Sequence, residues 1–223
     1  LSDERLADAL EEMPENDQVG LLNQLDDDRA ADVLDQMQPD DAADLIAQLS
    51  EERGEALLDL MEPEEADDVR FLLAYAPDTA GGLMTTEPII VSGDATVAEG
   101  LALIRRHELA PALGAAVCVT LPPFEPPTGR FLGMVHFQRM LRYPPNERLG
   151  TLLDQSLEPV LATTHAAEVA RRLASYNLVS IPVVDETHRL VGVVTIDDVL
   201  DYLLPDDWRS TDHESSTESL YSD

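Results

Sequence analysis

The stretch from Arg189 to Leu204, RLVGVVTIDDVLDYLL, decides the fold of this chain. Its first half is an apolar run rich in valine, which predicts a buried β-strand. Thr195 and the two aspartates that follow it predict the start of a helix with carboxylates in its first turn. The stretch therefore predicts a strand that leads directly into a helix, with acidic groups at the junction.

Asp198 and Asp201 lie three residues apart within this stretch. On a helix that spacing puts both side chains on one face, where they can jointly meet a cation or a partner. The alternative is that they cap the helix and favour the positive end of its dipole. The two roles are compatible if Asp197 makes the cap while Asp198 and Asp201 face a partner.

The charge of the 223-residue chain is strongly negative, since 45 acidic residues against 14 basic ones, all arginine, give a formal net charge of −31. Residues 1–70 hold 24 acidic and 4 basic side chains, a net charge of −20. Such a surface repels nucleic acid and anionic lipid, which leaves metal ions or basic protein faces as partners. We therefore expect no nucleic-acid partner.

The rest of the composition is that of a folded protein from a reducing compartment. An apolar share of 44% allows one or two domains with cores of their own. The single Cys118 lies in an apolar run and forms no intramolecular disulfide. No apolar run reaches the roughly 18 to 20 residues of a membrane helix and nothing resembles a signal peptide, so we expect no membrane insertion by this segment. Because the first residue is Leu1, we expect a fragment of a longer protein.

Residues 7–69 repeat with a period of 12. Within each repeat the apolar positions follow a helical spacing, and prolines or capping residues separate the repeats. Helices of about two turns are marginal alone in water, so we expect them to stack into an α-helical superhelix with one densely acidic side. The best apolar column is Leu10, Leu22, Leu34, Ile46 and Leu58, and the acidic side is Asp8, Asp32, Asp44 and Asp68 with Asp40, Asp41, Glu64 and Glu65 at the turns.

The pattern changes after a last helix over residues 67–76, at the paired glycines Gly81 and Gly82, which favour loop geometry. Two passes of the order β-α-β-β-α follow, a first copy over residues 83–153 and a second copy over residues 157–204. The first predicts strands at 89–91, 114–121 and 131–135 with helices at 97–108 and 137–143; the second predicts strands at 160–163, 180–184 and 191–194 with helices at 166–176 and 197–204.

Two motifs give this duplicated pattern a family resemblance. The second copy contains Ile181-Pro182-Val183-Val184-Asp185, followed by Leu190-Val191-Gly192-Val193-Val194-Thr195 and Asp198. With this motif the pair resembles cystathionine β-synthase (CBS) domains. In the first copy Phe131-Leu132-Gly133-Met134-Val135 matches, but the terminal Thr-x-x-Asp has become His136 and Arg139.

The junction Asp78-Thr79-Ala80-Gly81-Gly82-Leu83-Met84-Thr85 joins the acidic superhelix to the pair. With that junction, residues 5–204 resemble the cytosolic part of MgtE-type magnesium transporters. The resemblance implies a multi-domain fold, α plus α/β, in which an N-terminal α-helical superhelix (solenoid) precedes a tandem CBS-domain pair. The predicted domains are 1–78, superhelix; 79–156, first CBS domain; 157–206, second CBS domain; and 207–223, a disordered acidic tail.

In that family, magnesium ions bridge the superhelix and the CBS pair, and the compact form shuts a membrane pore. Mg²⁺ prefers oxygen ligands and needs only one or two carboxylates per site. Asn177 stands where the family has an Asp, so it can offer a carbonyl without a charge, and we expect one weaker site and fewer ions. The metal positions that the resemblance implies are Asp8, Asp40, Asp44, Gly82, Asn177, Asp198 and Asp201.

CBS pairs also bind adenosine nucleotides, with the Asp of each Thr-x-x-Asp on the ribose. Only the second copy keeps this motif, so the resemblance implies Thr195 and Asp198 as the nucleotide-binding residues. Arg139 replaces the corresponding Asp of the first copy, and Asp198 is also a candidate metal ligand. An adenosine nucleotide is therefore the secondary ligand prediction, after Mg²⁺.

The resulting hypothesis is a cytoplasmic magnesium-sensing module at the inner face of the membrane, homodimeric through its CBS domains, that controls a magnesium pore in the same or a separate chain. One alternative is a soluble stand-alone relative that regulates another partner. Another is a nucleotide-responsive adaptor whose acidic solenoid binds a basic protein. We expect no enzyme, because His107, His136, His165, His188 and His213 lack metal or triad spacing and no phosphate-cradling glycine loop is present.

Overall fold

The computed structural model describes residues 2–11, 13, 15–105, 110–154 and 156–204. The chain divides into two compact units, one with the residues up to Arg70 and those from Leu200 onward, the other with Phe71–Val199. The expected disorder of residues 207–223 and the predicted end of a helix at 108 lie outside the described residues. Across those residues, every helix is too short or too polar to cross a membrane.

The N-terminal region is a series of short helices whose starts are 12 residues apart, which confirms the predicted repeat. A helix packs on the next but one, α3 against α1 and α5, and α2 against α4. This alternation lets helices of two or three turns bury apolar stripes that none could bury alone. The helices are α1 (Asp3–Glu11), α2 (Glu15–Leu22), α3 (Asp27–Leu34), α4 (Pro39–Ala47), α5 (Glu51–Leu60) and α6 (Pro63–Leu73).

The predicted breaks between repeats are helix starts. The Asp26 carboxylate accepts a hydrogen bond from the Arg29 N–H at 3.1 Å, and Ser50 Oγ caps α5 in the same way. Pro39 and Pro63 each occupy the first helical position, where a missing N–H costs nothing. The central apolar column is buried in full: Leu10, Leu22, Leu34, Ile46 and Leu58 are each at most 5% exposed.

Several helices end earlier than predicted, among them the helix predicted over 97–108, which ends at Ile104. α6 ends at Leu73 rather than at residue 76, because the N–H groups of Ala74 and Tyr75 turn back to carbonyls three residues before them. The helix predicted over 137–143 has a single turn and ends at Met140. Pro144 and Pro145 follow it, and prolines cannot continue the hydrogen-bonding pattern of a helix.

The second unit contains two copies of one small sheet, as predicted. In each copy the first two strands are parallel and the last two antiparallel. The strand predicted over 160–163 is only two residues long, because the Ala162 and Thr164 carbonyls instead accept hydrogen bonds from Gly81 and Ala80. The elements are β1 (Ile90–Ser92), α7 (Val97–Ile104), β2 (Ala116–Thr120), β3 (Phe131–His136), α8 (Phe137–Met140), β4 (Val160–Leu161), α9 (Ala166–Tyr176), β5 (Ser180–Val184), β6 (Leu190–Thr195) and α10 (Ile196–Leu203).

The two copies are joined by a common core and by the proline-rich loop over residues 121–130. Cys118, Phe131 and Met134 of the first copy pack with Leu190 and Val193 of the second. Thr128 is 1% exposed, and its N–H donates to the Leu190 carbonyl at 2.9 Å while its Oγ1 accepts from the Leu190 N–H at 3.2 Å. The loop therefore fixes the first copy to the hairpin of the second.

Candidate functional site

The junction of β6 and α10 carries a closed capping arrangement. Thr195 donates to Asp198 Oδ2 from its backbone N at 2.9 Å and from its Oγ1 at 2.8 Å, and the Asp198 N–H points back to Thr195 Oγ1 at 3.4 Å. This reciprocal pair satisfies N–H groups at the start of the helix. The capping residue is Thr195 rather than the predicted Asp197: Thr195 Oγ1 accepts from the Asp198 N–H, and the Asp198 carboxylate accepts from the Thr195 N–H in return.

The first copy has no equivalent arrangement. His136 stands at the position before α8 and makes no side-chain cap, and Arg139 is exposed. Burial of the His136 imidazole lowers its pKa below the ordinary 6.5, with the opposing charge of Asp154 as the smaller influence. The Asp154 carboxyl in turn has a lowered pKa, first because it accepts hydrogen bonds from Ser156. The two copies thus present different charges at matched positions.

Asn177 ends α9 in the left-handed conformation, at φ 51° and ψ 45°. Behind it, the Leu178 N–H donates to the Leu173 carbonyl at 2.9 Å, which closes the helix end. The register pairs Ser180 with Thr195, so Asn177 and Asp198 lie beyond the same end of the β5–β6 ladder. Asn177 therefore ends α9, and its side chain is exposed. Its role as a metal ligand stays a separate prediction.

The junction glycines fill tight backbone positions. A Cβ on Gly82 would lie 2.4 Å from the Ala76 carbonyl oxygen, and one on Gly81 would lie 2.4 Å from the Tyr75 ring. The Gly82 N–H donates to the Thr79 carbonyl at 3.0 Å. Close packing thus requires glycine at both positions, independently of any ligand.

The candidate acids of the superhelix differ in exposure. Asp8 on α1 and Asp44 on α4 are exposed, as predicted, whereas Asp40 is only 8% exposed, contrary to the predicted acidic surface. Asp40 lies in the first turn of α4, where the helix dipole favours a carboxylate. It stands four residues before Asp44, so the two share a helix face.

Family models match the chain in two parts: the MgtE intracellular N domain over residues 1–78 and the CBS domain over residues 80–146 and 151–205. The crystal structure of the cytosolic domain of the Mg²⁺ channel MgtE in complex with ATP is 31% identical. It superposes with a TM-score of 0.80, covering 91% of this chain and 81% of that one. The chain belongs to the MgtE family. The predicted fold class is thereby confirmed, as is a cytosolic location of the matched region.

Other MgtE proteins are also similar to this chain. The crystal structure of the soluble part of a magnesium transporter is 26% identical, with a TM-score of 0.82 over 91% of this chain and 78% of that one. The magnesium transporter MgtE of Thermus thermophilus is 37% identical over 136 residues, and that of Bacillus subtilis 27% over 137 residues, each match covering 61% of this chain. The matched region spans only 29% of the length of either curated relative.

Two pairs of the MgtE-type candidate ligands each share one helix. Asp40 and Asp44 share a face of α4, and Asp198 and the exposed Asp201 share a face of α10. Within the part of the chain that the structure describes, no group of three or more His, Cys, Asp or Glu is arranged to hold a metal ion. The metal assignment of these residues stays a prediction.

Sequence reasoning missed a second use of the superhelix acids, as caps on distant helices. Glu11 Oε1 accepts from the Gln38 N–H at 2.8 Å, and Asp35 Oδ1 accepts from the Glu62 N–H at 3.0 Å. Both pairs are 27 residues apart, and the second lies two repeats after the first. The available signal was an acidic residue that recurs 28 positions before the first residue of a helix, at Glu11 for α4 and at Asp35 for α6.

Proposed function

We propose that this chain is the magnesium-sensing regulatory module of an MgtE-type transporter, in which Mg²⁺ bridges the acidic superhelix and the CBS pair and so controls a magnesium pore. The observation that carries this proposal is the match over 91% of the chain to the cytosolic domain of a Mg²⁺ channel. Both parts of that domain are present here, in the same order. A regulatory role fits relatives that are named as transporters, so we propose a non-enzymatic module.

The charge distribution supports a cation as the signal. Residues 1–70 carry a net charge of −20, and unscreened carboxylates at that density repel one another and any acidic neighbour. A divalent cation such as Mg²⁺, which takes carboxylate oxygens as ligands, reduces this repulsion when it binds between them. The proposed superhelix ligands are Asp8, Asp40 and Asp44, and the proposed ligands of the CBS pair and its flanks are Gly82, Asn177, Asp198 and Asp201.

The cap at α10 is compatible with this role. A carboxylate has two oxygens with about four acceptor sites, and both hydrogen bonds from Thr195 go to Asp198 Oδ2. They orient the group, which lowers the entropy cost of metal binding. We further propose a homodimer through the CBS domains, a pore domain in the same or a separate chain, and domain boundaries at 78/79 and 156/157.

The test is Mg²⁺-dependent compaction, measured by small-angle scattering and limited proteolysis across the millimolar range against NaCl of equal ionic strength. We expect the double variant Asp40→Asn/Asp198→Asn to lose the response, because each side loses a carboxylate. The control Asp28→Asn/Glu186→Gln removes the same charge from exposed positions and should respond like the parent. An unchanged response in the Asp40/Asp198 variant would refute the bridge.

A second candidate function is nucleotide sensing, favoured by the ATP complex of the 31% identical relative and by the intact Thr195–Asp198 pair. Calorimetry with ATP, AMP and Mg²⁺ separates the two. Nucleotide heat that survives chelation, without any Mg²⁺ response, would favour the nucleotide-responsive adaptor. A Mg²⁺ response without pore control in cells would instead favour the stand-alone regulator of another partner.

A further inference from the structure

Helix α9 begins without a cap of its own. His165 stands at the position before it, in an extended conformation, and its side chain makes no capping hydrogen bond. Glu168, in the first turn, pairs with Arg171 and Arg172 instead of turning back to the helix start. The helix nevertheless begins in a buried place, since Ala166 is 0% exposed. The backbone N–H of Ala166 therefore needs an acceptor from elsewhere in the chain.

The junction over residues 78–85 supplies that acceptor. The Ala166 N–H donates to the Asp78 carbonyl at 2.9 Å, and Asp78 Oδ2 lies 3.0 Å from His165 Nε2. The carboxylate is thus at the N-terminal end of α9, where the helix dipole favours a negative charge. Asp78 therefore caps a helix of the second copy, although the first copy follows it directly in the sequence.

The matching helix of the first copy, α7, has a cap of its own. Thr96 and Glu99 form a complete capping box, in which the Glu99 N–H donates to Thr96 Oγ1 and the Thr96 N–H donates to Glu99 Oε2. The segment before the second copy adds a further acceptor, the Glu147 carbonyl, which receives the Val97 N–H at 2.9 Å. Helix α7 thus has a local and a distant cap, whereas α9, among the contacts of the described residues, has only the distant one.

The junction is anchored more firmly beyond Asp78 than at it. The Ala80 N–H donates to the Thr164 carbonyl at 2.7 Å and the Gly81 N–H to the Ala162 carbonyl at 2.8 Å, and Ala80 is 0% exposed. The Asp78 side chain, in contrast, is 41% exposed. Asp78 also comes before these residues along the chain from the superhelix. A pull on the junction from the superhelix therefore reaches Asp78 before it reaches the anchored residues.

We propose that Asp78 is a removable cap through which the junction controls the start of α9. With Asp78 in place, the first turn of α9 is closed. When the superhelix draws Asp78 away, the Ala166 N–H loses its acceptor and that turn frays. The device passes the position of the superhelix to the second copy, and it does not rest on magnesium binding because each of its contacts joins residues of this chain.

Amide hydrogen exchange of the ¹⁵N-labelled chain tests the cap, in EDTA so that no magnesium takes part and with exchange in β6 as the measure of global unfolding. Asp78→Gly frees the backbone and removes the carboxylate, so exchange at Ala166 and Glu168 should rise at least about three-fold. Asn146→Gly, at an exposed position of the segment that bonds to α7, is the matched control. Since α7 keeps its capping box, exchange at Glu99 should stay unchanged.

His165→Thr gives α9 the Thr-Ala-Ala-Glu sequence of a capping box, like the one from Thr96 to Glu99 in α7. His165→Ala is its control, since both variants remove the contact with Asp78 Oδ2 and only threonine can cap. In the His165→Thr background, Asp78→Gly should leave exchange at Glu168 unchanged, whereas in the His165→Ala background it should still raise it. Unchanged exchange in Asp78→Gly alone, or equal effects in the two backgrounds, would overturn the proposal. A failure of magnesium-dependent compaction would count against the magnesium bridge and not against this cap.

Discussion

Asn177 has a conformational role that its position in the sequence did not reveal. It adopts φ 51° at the end of α9, a left-handed geometry that asparagine reaches at lower cost than most residues with a Cβ. The family resemblance assigned it only a weak carbonyl ligand role. The helix end explains the residue without a metal, and the two roles can be separated by substitution.

At this residue we predict that Asn177→Ala lowers the free energy of unfolding by about 1 kcal/mol, because alanine is strained in the left-handed region. Asn177→Gly should be nearly neutral for stability. If Asn177 is also a magnesium ligand, Asn177→Asp should tighten Mg²⁺ binding by adding a charge. Thermal unfolding and Mg²⁺ calorimetry measure the two effects, and unchanged Mg²⁺ affinity in Asn177→Asp would remove the residue from the metal site.

Among the elements, the superhelix uses part of its acidic excess for stability. Asp35, at the end of α3, accepts hydrogen bonds from the Glu62 N–H with both oxygens, at 3.0 and 3.2 Å. The pKa of the Asp35 carboxyl is raised above the ordinary 3.8, mainly because the group is partly buried. The hydrogen bond from the Glu62 N–H lowers this pKa, and repulsion from the Glu62 and Asp32 carboxylates raises it. The carboxylate thus caps α6 at an electrostatic cost.

We predict opposite effects for two variants of Asp35. Asp35→Ala should lower the free energy of unfolding by about 1 kcal/mol, because the Glu62 N–H loses its acceptor. Asp35→Asn keeps an acceptor and removes the charge, so it should be more stable than the parent at neutral pH.

The sign of the pH dependence follows from the raised pKa. The folded state binds the proton of Asp35 more tightly than the unfolded state does. Protonated Asp35 therefore adds to the free energy of unfolding in full below pH 3.8, and this stabilisation is lost as the pH rises through the pKa of the folded state. Asp35→Asn should remove that loss of stability, whereas the control Glu55→Gln, at an exposed position of α5, should not. Urea unfolding between pH 3.5 and about pH 7 measures it, and parallel profiles for Asp35→Asn and the parent would contradict the assignment.

For the whole molecule, the net charge of −31 dominates the response to ions. Self-repulsion destabilises a compact state of this charge, and simple salts relieve it only by screening. A specific Mg²⁺ site adds stabilisation through binding, about 1.4 kcal/mol when free Mg²⁺ is ten times its dissociation constant.

We therefore predict a higher Tm in MgCl₂ than in NaCl of equal ionic strength. The difference should shrink in Asp40→Asn/Asp198→Asn and persist in Asp28→Asn/Glu186→Gln, as measured by calorimetric scans. Equal Tm values in the two salts would mean that screening alone acts on this chain.

The sequence alone determined the period and order of the elements. Helix starts at 12-residue intervals and the duplicated β-α-β-β-α pattern follow from apolar spacing, proline and capping residues, which are local properties of the chain. The Arg189–Leu204 stretch forms a buried strand and an acidic helix start for the same reason. Where prolines cut a pattern short, as after Met140, local reasoning overestimated the length of a helix.

Only the tertiary structure decided which polar groups are occupied and which surfaces are buried. The hydrogen bond between Asp35 and Glu62 and the one between Thr128 and Leu190 join residues far apart in sequence. The burial of Asp40 was likewise not predicted from the sequence. The cap that the junction gives α9 also brings separate segments together. Hydrogen bonding and burial depend on which segments become neighbours, and hydrophobic periodicity carries no information about that choice.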